Sequence, residues 1–155
     1  KIQHKDGDTL KSKYLAYPMW FSTRDMARIG YLMLRNGQWE NKQIVSTNWV
    51  RTITTSFTSF KEANEYKAAY YLNGTYLRYF GYGYLWWVWD SPNNKGVYEG
   101  AYTAQGNFGQ YITILPALDL VIAHKTKDDY ERYTSNYLTI ISKLIAANDT
   151  VSVRK

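Results

Sequence analysis

The chain has no cysteine among its 155 residues. That excludes disulfides, thiolate metal sites and a cysteine nucleophile together, and it leaves the redox compartment unread. No run approaches the roughly 20 apolar residues that a membrane-spanning helix requires. Histidine occurs twice. His4 sits in a polar stretch with nothing beside it to complete a site and reads as solvated; His124 sits in a hydrophobic run and reads as structural. The usual signatures of nucleophilic, metal and phosphate chemistry are missing too: there is no Gly-x-Ser-x-Gly, Ser-x-x-Lys, His-Glu-x-x-His or Gly-x-x-x-x-Gly-Lys. Two near misses fail on residue type or spacing. Thr58-Ser59-Phe60-Lys61 carries threonine three before lysine, and Tyr133-Thr134-Ser135-Asn136 separates Tyr and Asn too far for a Tyr-x-Asn element. Metal-ligating residues do not cluster, so no metal and no cofactor is expected.

What is present can build a core. With 45% hydrophobic and 21% charged residues, the chain suits one globular domain spanning 1–155. Sixteen tyrosines and six tryptophans favour strands and sheet faces, because each couples a large apolar body to a polar tip. The formal charge of +6 comes from scattered Lys and Arg without RNA-binding or helix-turn-helix signatures, so no nucleic-acid partner is expected. The chain opens on Lys1 without an apolar signal segment and reads as a fragment or processed piece.

Residues 1–14 are polar and aperiodic and read as a lead-in. Ser22 with Asp25 three residues on predicts a capped helix whose buried face is Met26, Ile29, Gly30, Met33 and Leu34, ended by Asn36-Gly37. A tight reversal follows over 38–44, and Ser46 caps a second helix to about Thr54, with Trp49, Val50 and Ile53 inward. From 55 to 79 the pattern is weak, apart from the turn dipeptide Asn73-Gly74. Two sequons, at Asn73 and Asn148, are short enough to arise by chance, and the turn reading is preferred at Asn73. Asp128-Asp129 opens a long terminal helix with Tyr130, Tyr133, Tyr137, Ile140, Ile141, Leu144 and Ile145 along one side, and 149–155 read as a polar tail.

Between these helices, residues 81–127 form three apolar and aromatic runs separated by brief turns, the pattern of an antiparallel meander. The middle holds a glycine-rich crossing: Gly100, Gly106 and Gly109 allow close approach, with Tyr102, Thr103, Gln105 and Asn107 offering polar tips beside them. On residues alone this is either one wall of a site or a bulged strand end.

Three segments in this order, 21–50, 82–90 and 106–124, which contain the capped helix, Tyr-Gly-Tyr-x-Trp-Trp and Gly-x-Phe-Gly-Gln, resemble the C-terminal portion of the serine β-lactamase and penicillin-binding-protein-like hydrolases, in the class C, D-Ala-D-Ala peptidase and esterase branch. The resemblance covers roughly residues 17–145. It implies an α+β fold: part of a β-lactamase-like antiparallel sheet, three strands of it here, with a C-terminal helix on one face and two short N-terminal helices. It also implies acyl transfer through a serine ester, on a small-molecule ester, amide or β-lactam. The family's Ser-x-x-Lys and Tyr-x-Asn are not in this chain, which is expected to be inactive alone. Its Lys-Thr-Gly or His-x-Gly element falls on Ala101-Tyr102-Thr103, where the cationic residue and the glycine are replaced. The following residue supplies an oxyanion-hole amide in the family, which makes Ala104 N–H the catalytic candidate; Tyr102, Thr103, Gln105, Gly106 and Asn107 are the substrate-binding candidates. The missing N-terminal part, or self-association across an open sheet edge, is the expected partner, and the location implied is periplasmic or otherwise extracytoplasmic. The rival reading is a non-catalytic glycan- or peptide-binding module.

Overall fold

The computed structural model describes residues 21–68, 80–106, 109–126 and 137–152. The lead-in, His4, the Asn73-Gly74 turn, Asn107, the Asp128-Asp129 start with Tyr130 and Tyr133, and the last three residues lie outside them.

Helix α1 (Thr23–Leu34) begins with the expected capping box: the Ser22 hydroxyl accepts the Asp25 N–H while the Asp25 side chain accepts the Ser22 N–H. It ends at Asn36 and Gly37, both left-handed at φ 51° and 84°. A Cβ on Gly37 would fall 1.9 Å from the Val45 carbonyl oxygen, so only glycine lets the chain double back there. Strands β1 (Gln38–Trp39) and β2 (Lys42–Gln43) form a small ribbon across the Glu40-Asn41 turn. Helix α2 (Thr47–Ile53) is capped by Ser46. Helix α3 (Phe60–Ala68) has no counterpart in the sequence reading.

The main sheet is antiparallel throughout, in the order β3 (Gly81–Tyr82), β4 (Trp87–Val88), β5 (Tyr102–Gly106), β6 (Gln110–Leu115), β7 (Leu120–Lys125). Five strands replace the expected three. The run 81–90 is not one strand because the Gly83 N–H closes onto the Trp86 carbonyl at 2.8 Å. Gly83 also packs on α2, where a Cβ would lie 2.4 Å from the Ile53 carbonyl oxygen. The result is a hairpin with Leu85 left-handed at φ 65°.

Side-chain alternation divides the sheet between two cores. One face carries Trp86, Tyr102, Ile112 and Ile114 under Met26 and Met33 of α1 and Val50 of α2. Gly30 lets α1 settle onto β6 and β7: a Cβ there would meet Val121 Cγ1 at 2.4 Å and Ile112 Cγ2 at 2.9 Å. The other face carries Phe80, Trp89, Ala101, Tyr111, Leu115 and Ile122 under Tyr137, Ile141 and Ile145 of helix α4 (Tyr137–Ser152). The architecture is therefore α+β in three layers, with the terminal helix on one face as expected. Trp49 departs from expectation: it is half exposed, because the short α2 turns only Val50 fully inward.

Candidate functional site

Strand β5 is the candidate wall, and its side chains alternate between the two cores. Tyr102 points under α1, where its ring meets Trp86 edge-on at 5.3 Å. Burial pushes its phenol pKa far up, so the hydroxyl stays neutral across the physiological range. Thr103 points the other way and is fully buried. Its hydroxyl accepts the Trp89 indole N–H at 2.9 Å, donates to Thr113 Oγ1 at 3.3 Å and lies 3.0 Å from the Tyr137 hydroxyl. Thr113 and Tyr137 are also hydrogen-bonded to each other. Three hydroxyls and one indole thus form a closed set in which each O–H can donate once and accept at least once. The polar tip of Thr103 binds the sheet to α4 and faces no cleft. Ala104 is partly buried toward α1, Gln105 is partly buried on the α4 side, and Gly106 is exposed opposite Gln110.

The backbone of β5 carries the chemistry that its side chains do not. In an antiparallel ladder the N–H and C=O of one residue point to the same side, and successive residues point to opposite sides. The Trp89 N–H donates to the Ala101 carbonyl at 3.0 Å, so Ala101, Thr103 and Gln105 face β4 while Tyr102, Ala104 and Gly106 face β6. The Gly83 to Trp86 bond gives the same parity from the other side of β4. Strand β4 starts at Trp87, opposite Thr103. Beyond that point no strand pairs with this side of β5 among the described residues. The amide on the open edge is that of Gln105, one residue past the expected donor; the Ala104 N–H is directed into the ladder with Ile112.

The hairpin that ends this edge is pinned by Asp90. Its carboxylate accepts the Gly81 N–H at 2.6 Å, the Phe60 N–H at 2.9 Å and the Ser56 hydroxyl at 2.7 Å, tying β3 and the start of α3 together. Gly100 and Gly109, at φ 70° and 71°, serve the turns at either end of the crossing. His124 stacks on Tyr111 at 5.7 Å and 8°, and its Nδ1 is buried without a partner among the described residues. Desolvation lowers its pKa, and its place under the α4 layer makes it structural. Among the described residues no three of His, Cys, Asp and Glu come together as a metal site. Residue-type reasoning missed the hydroxyl set and the Asp90 knot, although one signal existed: Thr103 and Thr113 fall on the same parity as Ala101, Tyr111 and Leu115, which marks them as core positions.

No protein-family profile matches the chain. An uncharacterized protein of Alkalihalophilus pseudofirmus is 27% identical over 143 residues, which is 89% of this chain and 37% of that protein. A solved structure from Bacillus anthracis, described as a 6-aminohexanoate-dimer hydrolase, is similar over 81% of this chain at 25% identity and a TM-score of 0.52. This chain spans 27% of the length of that structure. The neighbour belongs to the β-lactamase and penicillin-binding-protein-like superfamily, and the likeness supports a relationship of this chain to those hydrolases.

Proposed function

We propose that this chain forms the sheet-side wall of a serine hydrolase that acts on esters or amides by acyl transfer. The observation that carries the reading is the open edge of β5, where the Gln105 amide stands beyond the last residue of β4. A serine from residues outside this chain passes its proton to a base beside it and attacks the carbonyl carbon. The same proton later goes to the departing alcohol or amine, and negative charge meanwhile develops on the carbonyl oxygen. A fixed backbone N–H stabilises that oxygen most strongly at the transition state, because its dipole needs no reorientation when charge appears. Collapse expels the alcohol or amine, and water then hydrolyses the serine ester. Gly106 borders the acyl or leaving group in this reading, and Tyr102 and Thr103 hold the strand in place. The outer edge of β7, unpaired among the described residues, accepts the strands that accompany the nucleophile.

The test is expression of the polypeptide extended upstream of Lys1. A Ser-x-x-Lys is expected there, with hydrolysis of p-nitrophenyl acetate by the extended protein and none by the 155-residue chain. Turnover by the short chain, or an extended protein that has no such serine and no activity, would overturn the proposal.

One observation favours a second reading as a binding module. A cavity of about 320 Å³ lies between α4 and the end of β4, lined by Trp89, Tyr98, Asn93, Asn94, Leu138 and Ser142. Stacked rings beside amides suit a sugar or peptide. Calorimetric titration of the chain with oligosaccharides and peptides decides it, and the absence of binding at millimolar ligand removes this reading.

A further inference from the structure

Three aromatic side chains stand together on the surface at the turn end of the β3–β4 hairpin. Phe57 and Tyr84 stack at 4.7 Å and 11°, and Trp49 lies 6.3 Å from Tyr84. They are 55%, 49% and 51% exposed, and the neighbouring Leu85 is 81% exposed. A contiguous apolar patch of this kind marks a place where something binds, whereas single exposed apolar residues do not.

The patch is held rigidly. The Tyr84 N–H donates to the Ile53 carbonyl at 3.0 Å and the Phe57 N–H to the Tyr82 carbonyl at 3.0 Å. Gly83 is pressed against the end of α2, and Leu85 holds a left-handed conformation that is costly for a branched side chain. The backbone thus presents the rings already ordered, so a ligand stacking on them loses little further freedom.

Its position relates it to the open edge of β5. The pairing of Trp87 with Thr103 brings the 83–86 turn to the same end of the sheet as Gln105 and Gly106. Tyr84 follows β3, two strands away from β5, a lateral distance of about 10 Å at the usual strand spacing. Trp49 rises from α2, which covers the same sheet face as Tyr102 and Ala104.

We infer that Trp49, Phe57 and Tyr84 form a specificity shelf for substrates carrying an aromatic or extended apolar group about 10 Å from the reacting carbonyl. This rests on the hydrolase reading for the location of that carbonyl. The occupant is a small molecule: the shelf is three rings wide, and it lies at the same end of the sheet as the amide that would hold the oxyanion, within the span of one extended substrate.

The probe is N-butyl-7-phenylheptanamide, whose extended chain sets the ring about 10 Å from the carbonyl and which this chain, without the serine, does not turn over, compared with the ring-free N-butylheptanamide. Binding to the chain is followed by tryptophan fluorescence and by backbone amide shifts. The phenyl compound is expected to bind at least about tenfold more tightly, the scale of one good aromatic contact. Its largest shifts should fall at Trp49, Tyr84 and Leu85. Trp49→Ala and Tyr84→Ala, both at exposed positions that leave the cores intact, should each remove that advantage. Equal binding of the two amides, shifts centred elsewhere or unchanged binding in both variants would overturn the shelf. A second arm measures p-nitrophenyl 7-phenylheptanoate against p-nitrophenyl heptanoate in the extended polypeptide. Turnover with no preference for the phenyl ester overturns the shelf and leaves the hydrolase reading standing. Ring-dependent, Trp49-dependent binding without turnover of either ester overturns the hydrolase reading and keeps the shelf as a binding site.

Discussion

Replacing Thr103 by valine tests how the wall is held. Valine has nearly the same shape, so the packing between β5, β6 and α4 is preserved while the hydroxyl disappears. The Trp89 indole N–H, 2.9 Å from that hydroxyl in a fully buried site, loses its acceptor. A buried donor left unpaired costs about 1–3 kcal/mol. Thr113 and Tyr137 keep their mutual bond but lose their contacts to Thr103. We therefore expect Thr103→Val to lose about 2–3 kcal/mol, at the upper part of that range because several groups are affected. Thr103→Ser keeps the hydroxyl and removes one methyl, for about 1 kcal/mol. Adding Trp89→Phe to Thr103→Val removes the stranded donor, so the double variant should be less destabilised than the two single losses added together. Equilibrium urea unfolding, read by fluorescence and circular dichroism, should show midpoint changes at constant slope. For a chain of this length the expected drop in Tm for Thr103→Val is roughly 4–12 °C. A valine variant within about 0.5 kcal/mol of the serine variant would refute the reasoning, since it would mean that the hydroxyl carries no network.

Further outcomes follow from the same geometry. Gly30→Ala should destabilise by about 1–2 kcal/mol in thermal melts despite the better helix propensity of alanine, because stiff Val121 cannot make way for the new methyl. Asp90→Asn, which loses the charge that strengthens three hydrogen bonds, should cost about 1 kcal/mol, with amide exchange faster first at Phe60 and Gly81. His124 has a folded pKa below its ordinary value, so the unfolded chain binds more protons as pH falls below about 6.5. Stability should decline across that window toward the folded pKa, and His124→Phe should flatten the slope in a pH series of urea midpoints.

Much of the fold is local chemistry and was legible as such. Ser22, Ser46 and the Asn36-Gly37 stop act within one turn of chain, and the helices begin and end where these residues dictate. The split of residues 81–90 into a hairpin was not legible, because it depends on Gly83 meeting the end of α2, a contact between distant segments. Helical spacing turns Trp49 inward, but spacing cannot say how wide a face the neighbouring sheet covers. The candidate strand itself was visible in its glycines and its alternation. Which of its amides faces outward was not, since that is fixed by the register with β4, and a shift of one residue exchanges Ala104 for Gln105.

That exchange supports the most direct test. Proline at position 105 removes the open-edge N–H, and a strand tolerates it where the amide makes no ladder bond. In the polypeptide extended upstream of Lys1, kcat for p-nitrophenyl acetate should fall by roughly 100-fold or more in Gln105→Pro, the scale of one lost oxyanion donor. Gln105→Ala should stay within a few-fold of the parent, with near-ultraviolet circular dichroism unchanged in both. A proline variant that hydrolyses the ester as fast as the alanine variant would contradict the assignment of the Gln105 amide to the oxyanion.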